Sequence, residues 1–470
     1  MNFNLALLFP EWIVLGILLV LLVGEMTGYS IARSARVGAI LVLLSILPFV
    51  GKIDTAFGGM FILDPIATFF KAFFALTFLV ILQMSREFFL SPASKPGEFF
   101  LILWTSLLGL FFLVSANDML LLFISLEIVT LSFYIMAAYM KHQLVSIEAG
   151  LKYFILGSLA SAFFIYGISL IYLGTGSTAF PEIRDALAQQ PANRLLLLGI
   201  LMILAGVGFK VAAVPFQFWV PDVYEGAPTP VVAFLSVGSK AAGFAVLLRL
   251  LFTVFGVFDS QRLMLFSALA AMTLIYGNLG ALVQTNIKRL FGYSSIGHAG
   301  YLLMGVAVGK EMGTSALLYY LIAYAVTTLA AFLVITVAGA KLGSDQISAY
   351  RGLAQKSPLL AGALFIALLS SAGVPPLAGF FGKFLILLAA TKDHLEWLAL
   401  LGALGVAVSL YYYLSIVKVM YIEESSDEEK FSLSLSSKFF LFILSGGMIV
   451  VGIWQAPFLN FAQHTSRYLF

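Results

Sequence analysis

What most restricts this chain is a succession of apolar runs, about fourteen of them, each near the length needed to cross a hydrocarbon core. A helix needs about 20 mostly apolar residues for that crossing. The runs lie near 12–28, 37–51, 62–84, 98–116, 118–140, 149–174, 195–220 and 229–256, then near 263–284, 290–309, 314–340, 358–391, 397–421 and 438–456. The 470 residues are 61% hydrophobic and only 10% charged, where a soluble protein carries about 25% charged residues. Most of the surface must therefore face lipid. Length alone suggests about three soluble domains, but the repeated spans override it. The expected fold is an all-α integral membrane protein with about fourteen transmembrane helices. The opening residues MNFNLALLFPEW lack a basic region, so no secretory signal is expected.

Cysteine is absent, which excludes disulfides, cysteine-bound iron–sulfur clusters and cysteine–zinc sites. A net charge of +3 gives no support for nucleic-acid binding. The loops alternate sides. One set carries Arg33, Arg36, Arg86, Lys95, Lys141, Lys288, Arg289, Lys341, Arg351, Lys356, Lys430 and Lys438; the other carries Lys52, Arg184, Arg194, Arg262, Lys310, Lys392 and Arg467. The positive-inside rule puts the richer set in the cytoplasm and both termini outside. The acidic run from Glu423 to Glu429 does not oppose this, because carboxylates weigh little in the rule.

Of the 26 Lys and Arg residues, seven fall inside spans: Lys71, Lys152, Lys210, Lys240, Arg249, Lys383 and Lys418. A lysine at the bilayer centre costs about 2.5–3.5 kcal/mol, but near a span end it can snorkel to water. Depth therefore sorts them. Lys71, Arg249 and Lys418 lie near ends and are read as snorkelling or packing. Lys152 follows Glu148 by four residues, a spacing that pairs them on one helix face. Lys210, Lys240 and Lys383 are deep, and Glu127 is deep in its own span. Two readings stand for these: a buried ion pair that fixes packing, or groups that exchange protons. Buried pairs are often no better for stability than apolar residues, and burial disfavours charge on amines and carboxyls alike, which favours exchange.

Two spans look broken. Residues 195–226 hold Lys210 and Pro215; residues 358–391 hold Pro375, Pro376 and Lys383. Proline interrupts the hydrogen-bond ladder, and such breaks persist in membranes only against protein or a wet cavity. Broken helices in both halves of a chain point to inverted repeats with a site at the midplane. Ordinary proline kinks are the other reading. Polar residues also align at helical spacing: Glu127, Thr130 and Tyr134; Ser294, His298 and Tyr301; Tyr320, Tyr324, Thr327 and Thr328; Ser409, Tyr412 and Tyr413. These serve either as a proton wire or as glue between helices. His298 is deep, whereas His142, His394 and His464 lie in or near loops, so no haem or metal site is expected.

The stretch GFKVAAVPFQFWVPDVYEGAPTPVVAFLSVGSKAAGFAVLLR (208–249), with NIKRLFGYSSIGHAGYLLMG (286–305) and SSAGVPPLAGFFGKF (370–384), resembles the antiporter-like membrane subunits of respiratory complex I. Within that family the branch called subunit N, or subunit 2, is most similar. The likeness extends over essentially the whole chain, and its first stretch is its most specific part. It implies two inverted five-helix repeats, each with one broken helix, dividing the chain into 1–97, 98–256, 257–421 and 422–470. It implies a proton relay through Glu127 in SLEIVTLSFY, Lys210, Lys240, His298 and Lys383, with Lys152 as a further member; Tyr324, from the aligned hydroxyls, joins it in this reading, and Asp222 and Glu225, in an inside loop, are read as gathering protons at the entrance. It implies no cofactor on this chain, with FMN, iron–sulfur clusters, NADH and quinone on partner subunits, and neighbouring membrane-arm subunits and lipid as partners. The location implied is a bacterial plasma or inner membrane. A cation/proton antiporter subunit using the same lysines, a structural membrane-arm adaptor and a self-contained transporter of an organic solute are the competing readings. Soluble nucleotide binding is not expected, because no GxGxxG opens a βαβ unit.

Overall fold

The computed structural model describes residues 4–27, 31–89, 96–190, 193–256, 259–424 and 430–470, with backbone alone for 31–33 and 259–260. Lys95 and residues 425–429 of the acidic run lie outside the described residues, and Arg33 is described by its backbone only. Helices α1 (Phe9–Thr27) and α2 (Ile31–Ile46) lead to a short antiparallel hairpin, β1 (Asp54–Ala56) with β2 (Phe61–Leu63), in which Thr55 faces Ile62. Then come α3 (Pro65–Phe88), α4 (Gly97–Val114), α5 (Met119–Ala137), α6 (Leu144–Thr175), α7 (Phe180–Gln189), α8 (Arg194–Val211) and α9 (Trp219–Gly226). The central stretch is α10 (Thr229–Phe234), a π-helical turn Leu235–Ser239, and α11 (Lys240–Arg249). The second half holds α12 (Asp259–Ala281), α13 (Ile287–Val308), α14 (Lys310–Leu342), α15 (Leu353–Lys356), α16 (Pro358–Ala372), α17 (Ala378–Lys392), α18 (Glu396–Tyr421), α19 (Leu435–Ile453) and α20 (Gln455–Ser466).

Among the described residues, eleven helices are long and apolar enough to cross a membrane. Helices α2 and α13 and the interrupted pair α16–α17 complete fourteen passes. Successive passes end on opposite faces. On one face, Asn4 bonds Asp54 beside the hairpin at 2.9 Å, Asp118 bridges Ala179, and Lys310 pairs with Asp393. On the other, Asn286 bridges Gln346, Arg351 pairs with Glu423, and Ser434 bonds Glu87. Trp12, Trp397 and Trp454 are all exposed at helix ends on the hairpin face, where indoles suit the lipid–water boundary. The five passes from α4 to α11 begin on one face and the five from α12 to α18 on the other, and each set contains one broken crossing: α8–α9 in the first and α16–α17 in the second.

Local chemistry sets the ends. Asp64, Asp118, Asn193, Asn286 and Ser434 accept bonds from the first free backbone N–H groups of α3, α5, α8, α13 and α19, satisfying donors that lipid cannot. Gly176, Gly343 and Gly373 end α6, α14 and α16 with positive φ, as glycine does without strain. The 33-residue α14 is apolar on all sides and its span is 89% buried, while the span made by α10 and α11 is wholly buried. These two form the bundle's interior, where packing rather than escape from water holds helices together.

Several expectations change. The hairpin, the surface helix α7 and the terminal α20 add elements that apolar runs do not announce. Lys71 and Arg249 follow the packing reading and not the snorkelling one. Lys71 is fully buried and pairs with Glu11 at 2.6 Å, and Arg249 holds Asp64 through two bonds of 2.9 and 3.0 Å. Both point into the bundle because their helices are surrounded by protein, so no water lies within reach. Lys418 is exposed. Lys288 and Arg262, expected in loops, are buried: Lys288 pairs with Asp345, and Arg262 bonds the carbonyls of Val306 and Ala307.

Candidate functional site

Lys210 sits in the last turn of α8, where Ala212 turns to φ 63° and the Val214–Pro215 peptide is cis. The helix stops because Pro215 supplies no N–H. The Val214 N–H is instead taken by Thr273 of α12 at 3.0 Å. The Lys210 amine thus lies at a helix C-terminus, where the helix dipole favours a cation. It donates to Thr130 Oγ1 at 3.0 Å and lies near the ring of Phe133. Glu127, three residues before Thr130 on α5, is half-buried and accepts from Ser161 of α6 at 2.5 Å. Glu127 and Lys210 share this corner without forming an ion pair; each has a hydroxyl partner instead.

Lys240 follows directly on the π-helical turn. Such turns widen the helix and leave backbone groups free to bond elsewhere. Its amine donates to the Ser295 carbonyl of α13 and lies 5.7 Å from the ring of Tyr324. Gly243, one turn on, lets α11 pack against α8: a Cβ there would come within 2.7 Å of Val211 and 3.4 Å of Lys210. Ser236, on the same turn, bonds the Tyr324 hydroxyl at 2.6 Å. Ser295 Oγ donates to Tyr224 at 3.2 Å.

His298 is buried on α13 between two phenols. Its Nδ1 lies 2.6 Å from the Tyr320 hydroxyl and its Nε2 lies 3.3 Å from that of Tyr413, which also bonds Ser294. Its ring lies against Tyr324, 5.0 Å between centroids. Lys383 belongs to α17 but reaches back over the break: it donates to the carbonyls of Ser371 (2.7 Å) and Ala372 (3.2 Å) at the end of α16. Those carbonyls are free because Pro375 and Pro376 end the helix. Lys383 also lies 5.0 Å from the Tyr301 ring, whose hydroxyl is fixed on the Gly402 carbonyl.

Lys210, Lys240 and Lys383 are 3–5% exposed, and among the described residues each is held by neutral oxygens alone. Lys71 and Arg249 are as deeply buried but carry carboxylate partners. Two classes of buried cation therefore coexist. The paired class fixes packing. The unpaired class carries the full cost of charge in a low-dielectric interior, so its protonation responds to whichever groups approach it.

Lys152, Asp222 and Glu225 belong to a different place, on the face opposite the hairpin. Asp222 of α9 lies between Lys152 (2.7 Å) and Arg289 (2.6 Å); Glu225 also pairs with Arg289 (2.9 Å), and Glu148 with Lys152 (2.7 Å). The network ties the inner half of the first broken crossing to the start of α13, three turns before His298. Ser161, Ser295, Tyr224, Ser236 and Arg289 were not legible as site residues. Their only sequence signal is polarity on otherwise apolar helices, which many structural serines share.

The family described as NADH:quinone oxidoreductase/Mrp antiporter, transmembrane, matches residues 116–409. A NADH-quinone oxidoreductase subunit N of Desulforamulus reducens is 38% identical over 99% of both chains. A chain of respiratory complex I from Thermus thermophilus, solved with aureothin bound, is 32% identical with a TM-score of 0.82, covering 96% of this chain and 98% of that one. A chain of an archaeal membrane-bound sulfane sulfur reductase is 25% identical with a TM-score of 0.91, over 99% and 97%.

Proposed function

Because this chain belongs to the NADH:quinone oxidoreductase/Mrp antiporter family of membrane subunits, we propose that it is a proton-translocating membrane-arm subunit of a quinone-reducing respiratory complex. The observation that carries this reading is the row of three buried lysines, each on a helix break or π-helical turn and each bonded only to neutral oxygen. Buried cations that serve packing elsewhere in the bundle, Lys71, Arg249 and Lys288, each hold a carboxylate instead.

In this reading the repeats run over 98–256 and 257–421, flanked by 1–97 and 422–470. Redox energy released on partner subunits, which hold FMN, iron–sulfur clusters, NADH and quinone, reaches this chain as a change around Glu127. No cofactor sits on this chain. The face bearing Arg289 and Lys152 is cytoplasmic, the membrane is the bacterial plasma membrane, and both termini lie outside. Asp222 and Glu225 gather protons, Lys152 and Arg289 hold them in place, and Tyr324 links Lys240 to His298. Protons occupy Lys240 and Lys210, pass His298 to Lys383, and leave on the hairpin face.

Glu127 and Lys210 form the switch. With Glu127 on Ser161 and Lys210 on Thr130, the lysine lacks a counter-charge and gives up its proton readily. With the two paired, it holds that proton. Moving one charge against 100 mV costs about 2.3 kcal/mol, so the two arrangements must differ in proton affinity by about fifty-fold. A single carboxylate approaching a buried amine is of that size.

The test is Lys210→Ala or Glu127→Ala in the intact complex reconstituted into vesicles. Each should lower protons translocated per electron while the complex still assembles. Parental coupled pumping in either variant removes the role assigned to that residue. Retained pumping after neutralising Lys210, Lys240 and Lys383 together would favour a purely structural subunit.

A further inference from the structure

Between the end of α3 and the start of α19, on the face opposite the hairpin, the surface opens into a groove of about 790 Å³. Its polar lining is Arg86, Ser434, Ser436 and Lys438, and its apolar lining is Leu435, Phe439 and Phe442. The polar groups belong to the last turn of α3 and the first turn of α19, at the level of the membrane boundary. Leu435, Phe439 and Phe442 recur at i, i+4 and i+7, one stripe of α19 running about 10 Å toward the membrane interior. They are 84%, 59% and 65% exposed, so the chain itself leaves the stripe bare. The polar end holds unused donors. Ser434 Oγ gives its proton to Glu87 (2.6 Å) and accepts from the Ser437 N–H (3.1 Å). Ser436 Oγ accepts from Gln83 (3.0 Å) and Arg86 (3.2 Å), which leaves its own proton to donate. Arg86 spends one N–H there, and neither Arg86 nor Lys438 forms an ion pair among the described residues. Glu87 is 7% exposed, turned inward, and does not line the groove. Two cations therefore face it with no carboxylate in its lining.

We propose that this groove binds an anionic phospholipid, its phosphate on Arg86, Ser436 and Lys438 and an acyl chain along Leu435, Phe439 and Phe442. A phosphate diester suits the polar end because it accepts from guanidinium, ammonium and hydroxyl together. A zwitterionic headgroup brings an ammonium of its own back toward Lys438, so a headgroup of net negative charge is preferred. Donors at the boundary beside a bare apolar stripe match a lipid's own order of headgroup and chain. A partner helix would cover the stripe, but it would also have to bring a carboxylate to the boundary to satisfy both cations. The bound phosphate joins α3 to the start of α19, whose far end rests on the Pro376 carbonyl at Gly452.

The test places the intact complex in phosphatidylcholine nanodiscs that contain a little photoactivatable phosphatidylglycerol, its reactive group on the acyl chain. Crosslinked peptides are mapped by mass spectrometry. The peptide carrying Phe439 and Phe442 should be labelled, and a phosphatidylcholine analogue with the same reactive group should label it about fivefold less or weaker still. A basic residue near a membrane surface strengthens attraction to anionic lipid by about fivefold. Lys438→Gln should therefore lower labelling about fivefold, and Arg86→Gln with Lys438→Gln about twenty-five-fold. Labelling of the rest of the chain should stay at the parental level. Equal labelling of the parent by the two analogues overturns the proposal with no variant needed. So does unchanged labelling in Lys438→Gln, whose side chain is exposed and whose loss leaves the fold intact. An unlabelled peptide, with Phe439 crosslinked to a partner subunit instead, shows that protein covers the stripe and overturns it as well.

Discussion

Replacing Lys71 by methionine leaves the Glu11 carboxylate buried, 2% exposed, on the far side of a 2.6 Å contact that no longer exists. Among the described residues, neither carboxylate oxygen has a hydrogen bond from elsewhere, and the Lys71 amine faces that carboxylate and the rings of Phe61 and Phe111. Breaking such a pair from one side costs about 3–5 kcal/mol, because the remaining charge has no solvent and no partner. Replacing both members by similar apolar groups, as in Glu11→Leu with Lys71→Met, should cost far less and can stabilise by about 1–4 kcal/mol. The double-mutant cycle should therefore show a coupling of at least about 3 kcal/mol, at the upper limit for residues in contact. Thermal unfolding of the purified full chain in detergent measures all four proteins. If each single variant is nearly neutral, or if the double variant is as damaged as the sum of the singles, the reasoning fails. The pair then holds α1 to α3 no more firmly than any lipid-facing contact. Its charges belong to packing, so the double variant should keep coupled pumping in the assembled complex.

Gly452 of α19 rests on the second break: a Cβ there would lie 2.1 Å from the Pro376 carbonyl. Gly452→Val should therefore push α19 off α16–α17, costing about 1–3 kcal/mol or more and disturbing Lys383. Gly446→Ala on the same helix meets nothing within 4 Å and should change stability by no more than about 0.5 kcal/mol, which comparative melting checks. Arg289→Gln frees Glu225 and leaves Asp222 on Lys152 alone, but its pairs are about one-third exposed, so stability should fall by only about 1 kcal/mol or less. If the network couples the first break to α13, proton pumping in the complex falls well beyond that small loss; equal effects on both would show a surface link only.

Both breaks are legible in the sequence, because Pro215 and the Pro375–Pro376 pair leave the backbone no ladder to continue. Depth in a span likewise singles out Lys210, Lys240 and Lys383, since insertion energetics depend on position along one helix. Depth fails for Lys71 and Arg249. Their distance to water is set by which helices surround them, and no single span records that. It also misses Ser161, because only the packing of α6 against α5 brings its hydroxyl to Glu127.

The apolar runs and their interruptions thus determine, without further information, that this chain spans a membrane many times, interrupts two of its helices near proline and carries charge deep in its spans. The pairing of those charges is a different kind of fact. Lys71 and Lys210 are the same residue type at similar burial, yet one faces Glu11 and the other faces Thr130. Only the tertiary structure decides that, because a hydrogen bond across 80 residues depends on how α5 and α8 meet, and helix contacts in lipid follow shape and polar fit rather than hydrophobicity.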